Sequence, residues 1–143
     1  MTVARILAVK GRDVVTTQPH RTLAEAAALL TARNIGAAVV ADAQGRILGM
    51  LSERDILHAV GETGAAALND AVSKHMTAAV IITHEDECVD AAMAKMTVQR
   101  CRHLPVVAGE RLIGLVSIGD VVKYRLEQLE HEHQAMREYI ATA

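Results

Sequence analysis

A chain of 143 residues that is 51% hydrophobic has apolar surface enough for one compact domain or two mutually dependent halves. Seventeen acidic and fifteen basic side chains leave a formal charge of -2, Phe and Trp are absent, and Tyr124 and Tyr139 are the two aromatic residues, so the positive field and stacking platform of a nucleic-acid binder are missing. No apolar run approaches the roughly 20 residues of a membrane span and the Met1 region has no signal-peptide pattern, which sets the expectation of a cytoplasmic protein with neither membrane nor nucleic acid as partner.

In chain order, Lys10-Gly11-Arg12 leads into Val14-Val15-Thr16, a short β-branched run that predicts a strand. Thr22 through Arg33 places Leu23, Ala26, Ala27 and Leu30 at helical spacing, with Thr22 as N-cap and Glu25 three residues on. Ala37 through Ala41 and Arg46 through Leu51 are apolar runs around a tight Asp42-Ala43-Gln44-Gly45 turn, the pattern of a β-hairpin. A second helix starts at Ser52. The segment Gly61 through Met76 is a link, with Ala65 through His75 expected to be helical.

The same order then recurs. A shift of 66 residues lays Val14 through Asp42 on Val80 through Ala108 without a gap, so that Thr17 meets Thr83, Ala26 meets Ala92 and Val40 meets Val106. One deletion, in the turn at Ala108-Gly109-Glu110, changes the offset to 65, and Arg46, Gly49, Ser52 and Asp55 fall on Arg111, Gly114, Ser117 and Asp120. Two copies of one β-α-β-β-α unit follow. A unit of about 60 residues buries too little surface alone, so the two should fold as one module around a shared core.

The residues Gly49-Met50-Leu51-Ser52-Glu53-Arg54-Asp55-Ile56 and Gly114-Leu115-Val116-Ser117-Ile118-Gly119-Asp120-Val121 resemble the nucleotide-binding signature of cystathionine-beta-synthase (CBS) domains. Ile35 through Val40 and His103 through Val107 are similar to that family's middle strand, His75-Met76-Thr77 to the entry of a second repeat, and the likeness spans roughly residues 3 to 125. It implies a mixed α/β (α+β) fold of two repeats related by a pseudo-two-fold and sharing one core: residues 1–66, residues 67–128, and a C-terminal helix extension over residues 129–143. It further implies a regulatory module, not an enzyme, that binds an adenine nucleotide (AMP, ATP or NAD/NADH) without a metal. A homodimer and a regulated enzyme or transporter in trans are the partners it suggests.

Ser-x-x-Asp fits two roles. Ser52 with Asp55 and Ser117 with Asp120 are spaced as helix N-caps with an acidic partner, and a purely structural or protein-interaction domain would need no more. A helix start also offers free N–H groups to phosphate, and a carboxylate there can accept both hydroxyls of a ribose. By the resemblance, Asp55 and Asp120 hold ribose hydroxyls while Ser52 and Ser117 bond ribose or phosphate, with Arg54 beside one phosphate. Adenine would be read by backbone groups of Ile35, Gly36 and Ala37 in one site. Cys101, Arg102 and His103 stand in those places in the other. Lys10-Gly11-Arg12 and Met76-Thr77 resemble the remaining adenosine contact, although Lys10 departs from the family's usual Met. The sites should be composite: Ser117 and Asp120 facing Gly11, Ile35, Gly36 and Ala37, and Ser52, Arg54 and Asp55 facing Thr77, Cys101, Arg102 and His103.

Three other signals have plainer readings. Glu130-His131-Glu132-His133 places its histidines about 200° apart on a helix, which fits a solvated face and not a metal pair. Cys88 and Cys101 are expected to be free and buried, and Cys101 with His103 lacks the orienting group of a nucleophile pair. Val122, Leu126, Leu129, His133, Met136 and Ile140 recur at steps of four and three, the spacing of a seam between helices.

Overall fold

A computed structural model describes residues 1–142 and arranges them as α1 (Val3–Lys10), β1 (Thr16–Thr17), α2 (Leu23–Arg33), β2 (Ala37–Ala41), β3 (Ile47–Ser52), α3 (Glu53–Thr63), a 3-10 turn (Gly64–Asn69), α4 (Val72–His75), α5 (Val89–Gln99), β4 (His103–Ala108), β5 (Arg111–Ser117) and α6 (Ile118–Thr142). Ala143, the last residue of the expected extension, lies outside the described residues. Among the described residues no helix is long and apolar enough to cross a membrane.

The starts of the helices follow from their caps. Thr22 and Glu25 form the expected capping box on α2, and Ser52 and Asp55 form another on α3. Cys88 takes the place of Thr22 on α5, where its Sγ accepts from the Ala91 N–H at 3.4 Å. That role brings it to the surface, so Cys88 is exposed and not buried as expected.

The two hairpins repeat in register. Ala37 pairs with Ser52 and His103 with Ser117, and each hairpin carries an irregularity at the same place, between Val40 and Ala41 or Val106 and Val107. The outer strand does not repeat. β1 pairs parallel with β2, beginning at Thr16 and not at Val14, and the Val39 N–H reaches the Val15 carbonyl at 3.2 Å. Pro105 stands where Val39 would be and has no N–H to offer, so that rung cannot form. The strand expected at Val80-Ile81-Ile82 is reduced to one bridge, Thr83 to Val106.

The helix expected over Ala65 through His75 is also broken. Asp70 and Ala71 are extended, because they pair with the chain before α2: Leu23 N–H donates to the Asp70 carbonyl at 3.0 Å and Val72 N–H to the Arg21 carbonyl at 2.7 Å.

In place of the single shared core expected, the described residues form two clusters, one built within residues 23–76 and one that joins the two ends of the chain. Leu23, Ala26, Val40, Leu51 and Ala59 are closed over by Ala67 and Val72 from the link. Val89, Ala92, Met96, Leu104, Val106, Val116 and Val121 are closed over by Val3, Ile6 and Leu7 of α1. α1, which stands outside the expected unit, thus packs on β5 and α6, the far end of the sequence. Burying Leu7 alone contributes about 1.5 to 3 kcal/mol, so the first residues stabilise the second half.

Candidate functional site

The hairpins deliver their last strands, β3 and β5, directly into the N-termini of α3 and α6. Each helix start is tied to the opening of the neighbouring strand: the Glu53 N–H donates to the Gly36 carbonyl at 2.9 Å, and the Ile118 N–H to the Arg102 carbonyl at 2.8 Å. The beginnings of β2 and β4 are therefore fixed beside the two Ser-x-x-Asp elements.

A cavity of about 830 Å³ opens at the first of these elements. Ser52, Arg54 and Asp55 from the first repeat line it together with Thr77, Cys101, Arg102 and His103 from the second, so the structure brings one expected constellation into a single space. Gly36 and Ala37, expected opposite Ser117 and Asp120, line this cavity as well. Its apolar wall is aliphatic, with Met50, Leu57, Val80 and Ile81. Leu57 is 73% exposed, a large apolar side chain left open to water at the cavity.

The cap at Asp55 leaves acceptor capacity free. Ser52 N–H donates to Asp55 Oδ2 at 2.8 Å and Ser52 Oγ donates to the same oxygen at 3.0 Å, while the Asp55 N–H donates to Ser52 Oγ at 3.2 Å. Among the described residues no donor engages Oδ1. A carboxylate with an open oxygen at a helix start can cap and still accept a hydroxyl pair.

Three arginines, Arg54, Arg100 and Arg102, and two acidic residues, Glu53 and Asp55, line the cavity. Burial, and after it the Lys10 ammonium, holds His103 below the ordinary histidine range, so its ring is neutral at pH 7. A phosphate placed beside it would draw it back up. Burial pushes the Cys101 thiol up, away from thiolate reactivity, which leaves that residue as part of the wall.

Other expected site residues lie elsewhere. Met76 packs on the first cluster and leaves Thr77 to face the cavity. Ile35 closes α2 through its N–H to the Leu30 carbonyl at 3.0 Å. Gly11 ends α1 with φ of 100°, and Arg12 is ion-paired with Glu85. Lys10, Ser117 and Asp120 meet at the second element, where Lys10 Nζ lies 2.6 Å from Asp120 Oδ2. Among the described residues no cluster of His, Cys, Asp or Glu is placed to hold a metal ion. The Glu130 to His133 run is exposed along α6.

Sequence reasoning missed Arg100. It ends α5 in the left-handed region at φ of 54°, the place that Asn34 fills at the end of α2. Asparagine adopts that conformation at less cost than arginine does. The alignment of Arg100 with Asn34 marked that place in the sequence.

The CBS domain family model matches residues 7–62 and 71–127. The chain is similar to a crystal structure of a CBS-domain containing protein from Agrobacterium tumefaciens, with 47% identity, a TM-score of 0.85, and 87% of this chain and 99% of that one covered. It is also similar to a CBS domain pair solved in complex with methylthioadenosine and S-adenosyl-L-methionine (27% identity, TM-score 0.81, 90% and 98% covered). A CBS domain protein from Pyrobaculum aerophilum complexed with AMP is a third match (28% identity, TM-score 0.75, 84% and 89% covered).

Proposed function

Because the chain belongs to the CBS domain family, we propose that it is a cytoplasmic regulatory module, not an enzyme, that senses an adenine nucleotide in the Asp55 cavity. The observation that carries this reading is the convergence of Ser52, Arg54 and Asp55 with Thr77, Arg102 and His103 on one cavity of about 830 Å³. Its aliphatic wall suits a purine that has no aromatic ring to stack on, and the open Asp55 oxygen suits a ribose. AMP, methylthioadenosine and S-adenosyl-L-methionine, the ligands of the two similar structures, share an adenine on a ribose ring with two free hydroxyls. The arginines favour a ligand with phosphate, so AMP, ATP and NAD/NADH are the candidates.

A ligand here touches both repeats and would hold them in one relative placement, which is the change a regulated enzyme or transporter in trans could read. The seam residues Val122, Leu126, Leu129, Met136 and Ile140 are exposed along α6. That face supports a homodimer built through the helix.

AMP at about 100 times its dissociation constant is expected to stabilise the fold by roughly 2.7 kcal/mol, read as a raised melting temperature, with GTP giving a smaller shift. No shift with AMP, ATP or NAD would leave a structural or protein-interaction domain whose Ser-x-x-Asp pairs are caps alone. Arg100→Asn separates charge from conformation: the free variant should gain up to about 1 kcal/mol in urea unfolding as the left-handed strain is relieved, yet bind AMP more weakly. A variant that gained stability and kept its affinity would remove Arg100 from the site.

A further inference from the structure

The two repeats treat equivalent carboxylates differently. At Asp55, among the described residues, no cation is paired with the carboxylate. Asp120, its counterpart, accepts the Ser117 N–H at 2.8 Å on Oδ2, and the same oxygen takes the Lys10 ammonium at 2.6 Å. Lys10 Nζ also donates to the Leu115 carbonyl at 2.7 Å. In the first half the matching carbonyl, that of Met50, is bonded by the backbone N–H of Thr77 at 2.8 Å. Gly11, which corresponds to Thr77, instead turns its N–H back to the Leu7 carbonyl at 2.8 Å, leaving the β5 edge to Lys10.

The difference traces to one position. Lys10 corresponds to Met76, whose apolar chain packs over Gly49. A lysine in that place brings its charge to two acceptors, the Leu115 carbonyl on β5 and the Asp120 carboxylate in the first turn of α6. Burial pushes the Asp120 carboxyl up, but the Lys10 hydrogen bond and the Ser117 N–H outweigh it and hold the group below the ordinary carboxylate range. An ionised acceptor held by an ammonium is a stronger hydrogen bond than a neutral hydroxyl can offer.

The geometry points to Lys10 as a built-in occupant of the second cleft, which takes the place of the ribose hydroxyls at Asp120 and limits the chain to one nucleotide, at Asp55. This inference rests on the nucleotide reading of the Asp55 cavity. Lys10 therefore sets stoichiometry, and the asymmetry between the repeats is a property of this sequence.

Calorimetric titration of the full chain with AMP tests it. Wild type should bind one AMP per chain, Lys10→Met should bind two, and Lys10→Met combined with Asp120→Ala should return to one. Asp120→Asn in the otherwise native chain should leave AMP stoichiometry and affinity unchanged, a result that stands even if Lys10→Met folds poorly. Two AMP molecules per wild-type chain, a single site in folded Lys10→Met, or weakened AMP binding in Asp120→Asn would overturn the role of Lys10 while leaving the nucleotide reading in place. No binding to wild type but one site in Lys10→Met would overturn the Asp55 reading and keep the Lys10 one. No binding to either would overturn both.

Discussion

Asp55→Asn is expected to weaken AMP binding about ten- to a hundredfold while the free chain stays folded and close to its original stability. Asparagine keeps an oxygen that can accept the Ser52 N–H, now at 2.8 Å from Oδ2, so the capping box survives in outline. The loss of negative charge in the first turn of α3 costs the helix about 0.3 to 1 kcal/mol. A ribose loses more, since a hydrogen bond to a charged group contributes about 1.5 to 3 kcal/mol, and the amide presents a donor where the second hydroxyl needs an acceptor. Calorimetry and urea unfolding on the same preparation separate the two effects. Lower stability with unchanged affinity would mean that Asp55 is a cap and nothing else.

Gly49→Ala should be the more damaging of two equivalent glycine substitutions. A Cβ at Gly49 would sit 2.7 Å from the Thr77 carbonyl oxygen and 2.8 Å from Met76 Sδ. Thr77 cannot withdraw easily, because its N–H and C=O both pair with Met50, at 2.8 and 2.9 Å. A Cβ at Gly114 would meet Leu7 Cδ2 at 2.8 Å and Cδ1 at 2.9 Å, and the end of a side chain can shift where a paired backbone cannot. Overpacking costs typically 1 to 3 kcal/mol, so about 2 to 3 is expected for Gly49→Ala and about 1 to 2 for Gly114→Ala. Unfolding midpoints in urea give the order directly, and equal or reversed losses would show that the Thr77 bridge yields. Thr77 also lines the cavity, so the first substitution should disturb AMP binding more than the second.

The repeat, the hairpins and the capping boxes were legible because they rest on local chemistry: a cap residue, a turn, a period of apolar side chains. α1 was not, since Val3, Ile6 and Leu7 make too short a pattern and their partners lie on β5 and α6. The missing outer strand was written in the sequence as Pro105, whose effect appears only when its neighbour across the sheet is known. The link misled in the opposite way. Ala65 through Ala67 favours helix, and pairing with the chain at Arg21 and Leu23 overrides that preference.

At the site, the family resemblance placed Ser52, Arg54 and Asp55 opposite Thr77, Cys101, Arg102 and His103, and all seven line the cavity. Glu53 and the aliphatic side chains Leu57, Val80 and Ile81 had no chemical signature to mark them. Lys10 was noted as a departure from the family's pattern, but its target, Asp120, is 110 residues away and only the fold reveals it.

Native mass spectrometry of the full chain with AMP tests the central claim most directly. The account predicts a dimer mass that rises by one AMP per chain, with no such rise for GTP at the same concentration. A spectrum without bound AMP at saturating concentrations, or with GTP bound equally well, would contradict it.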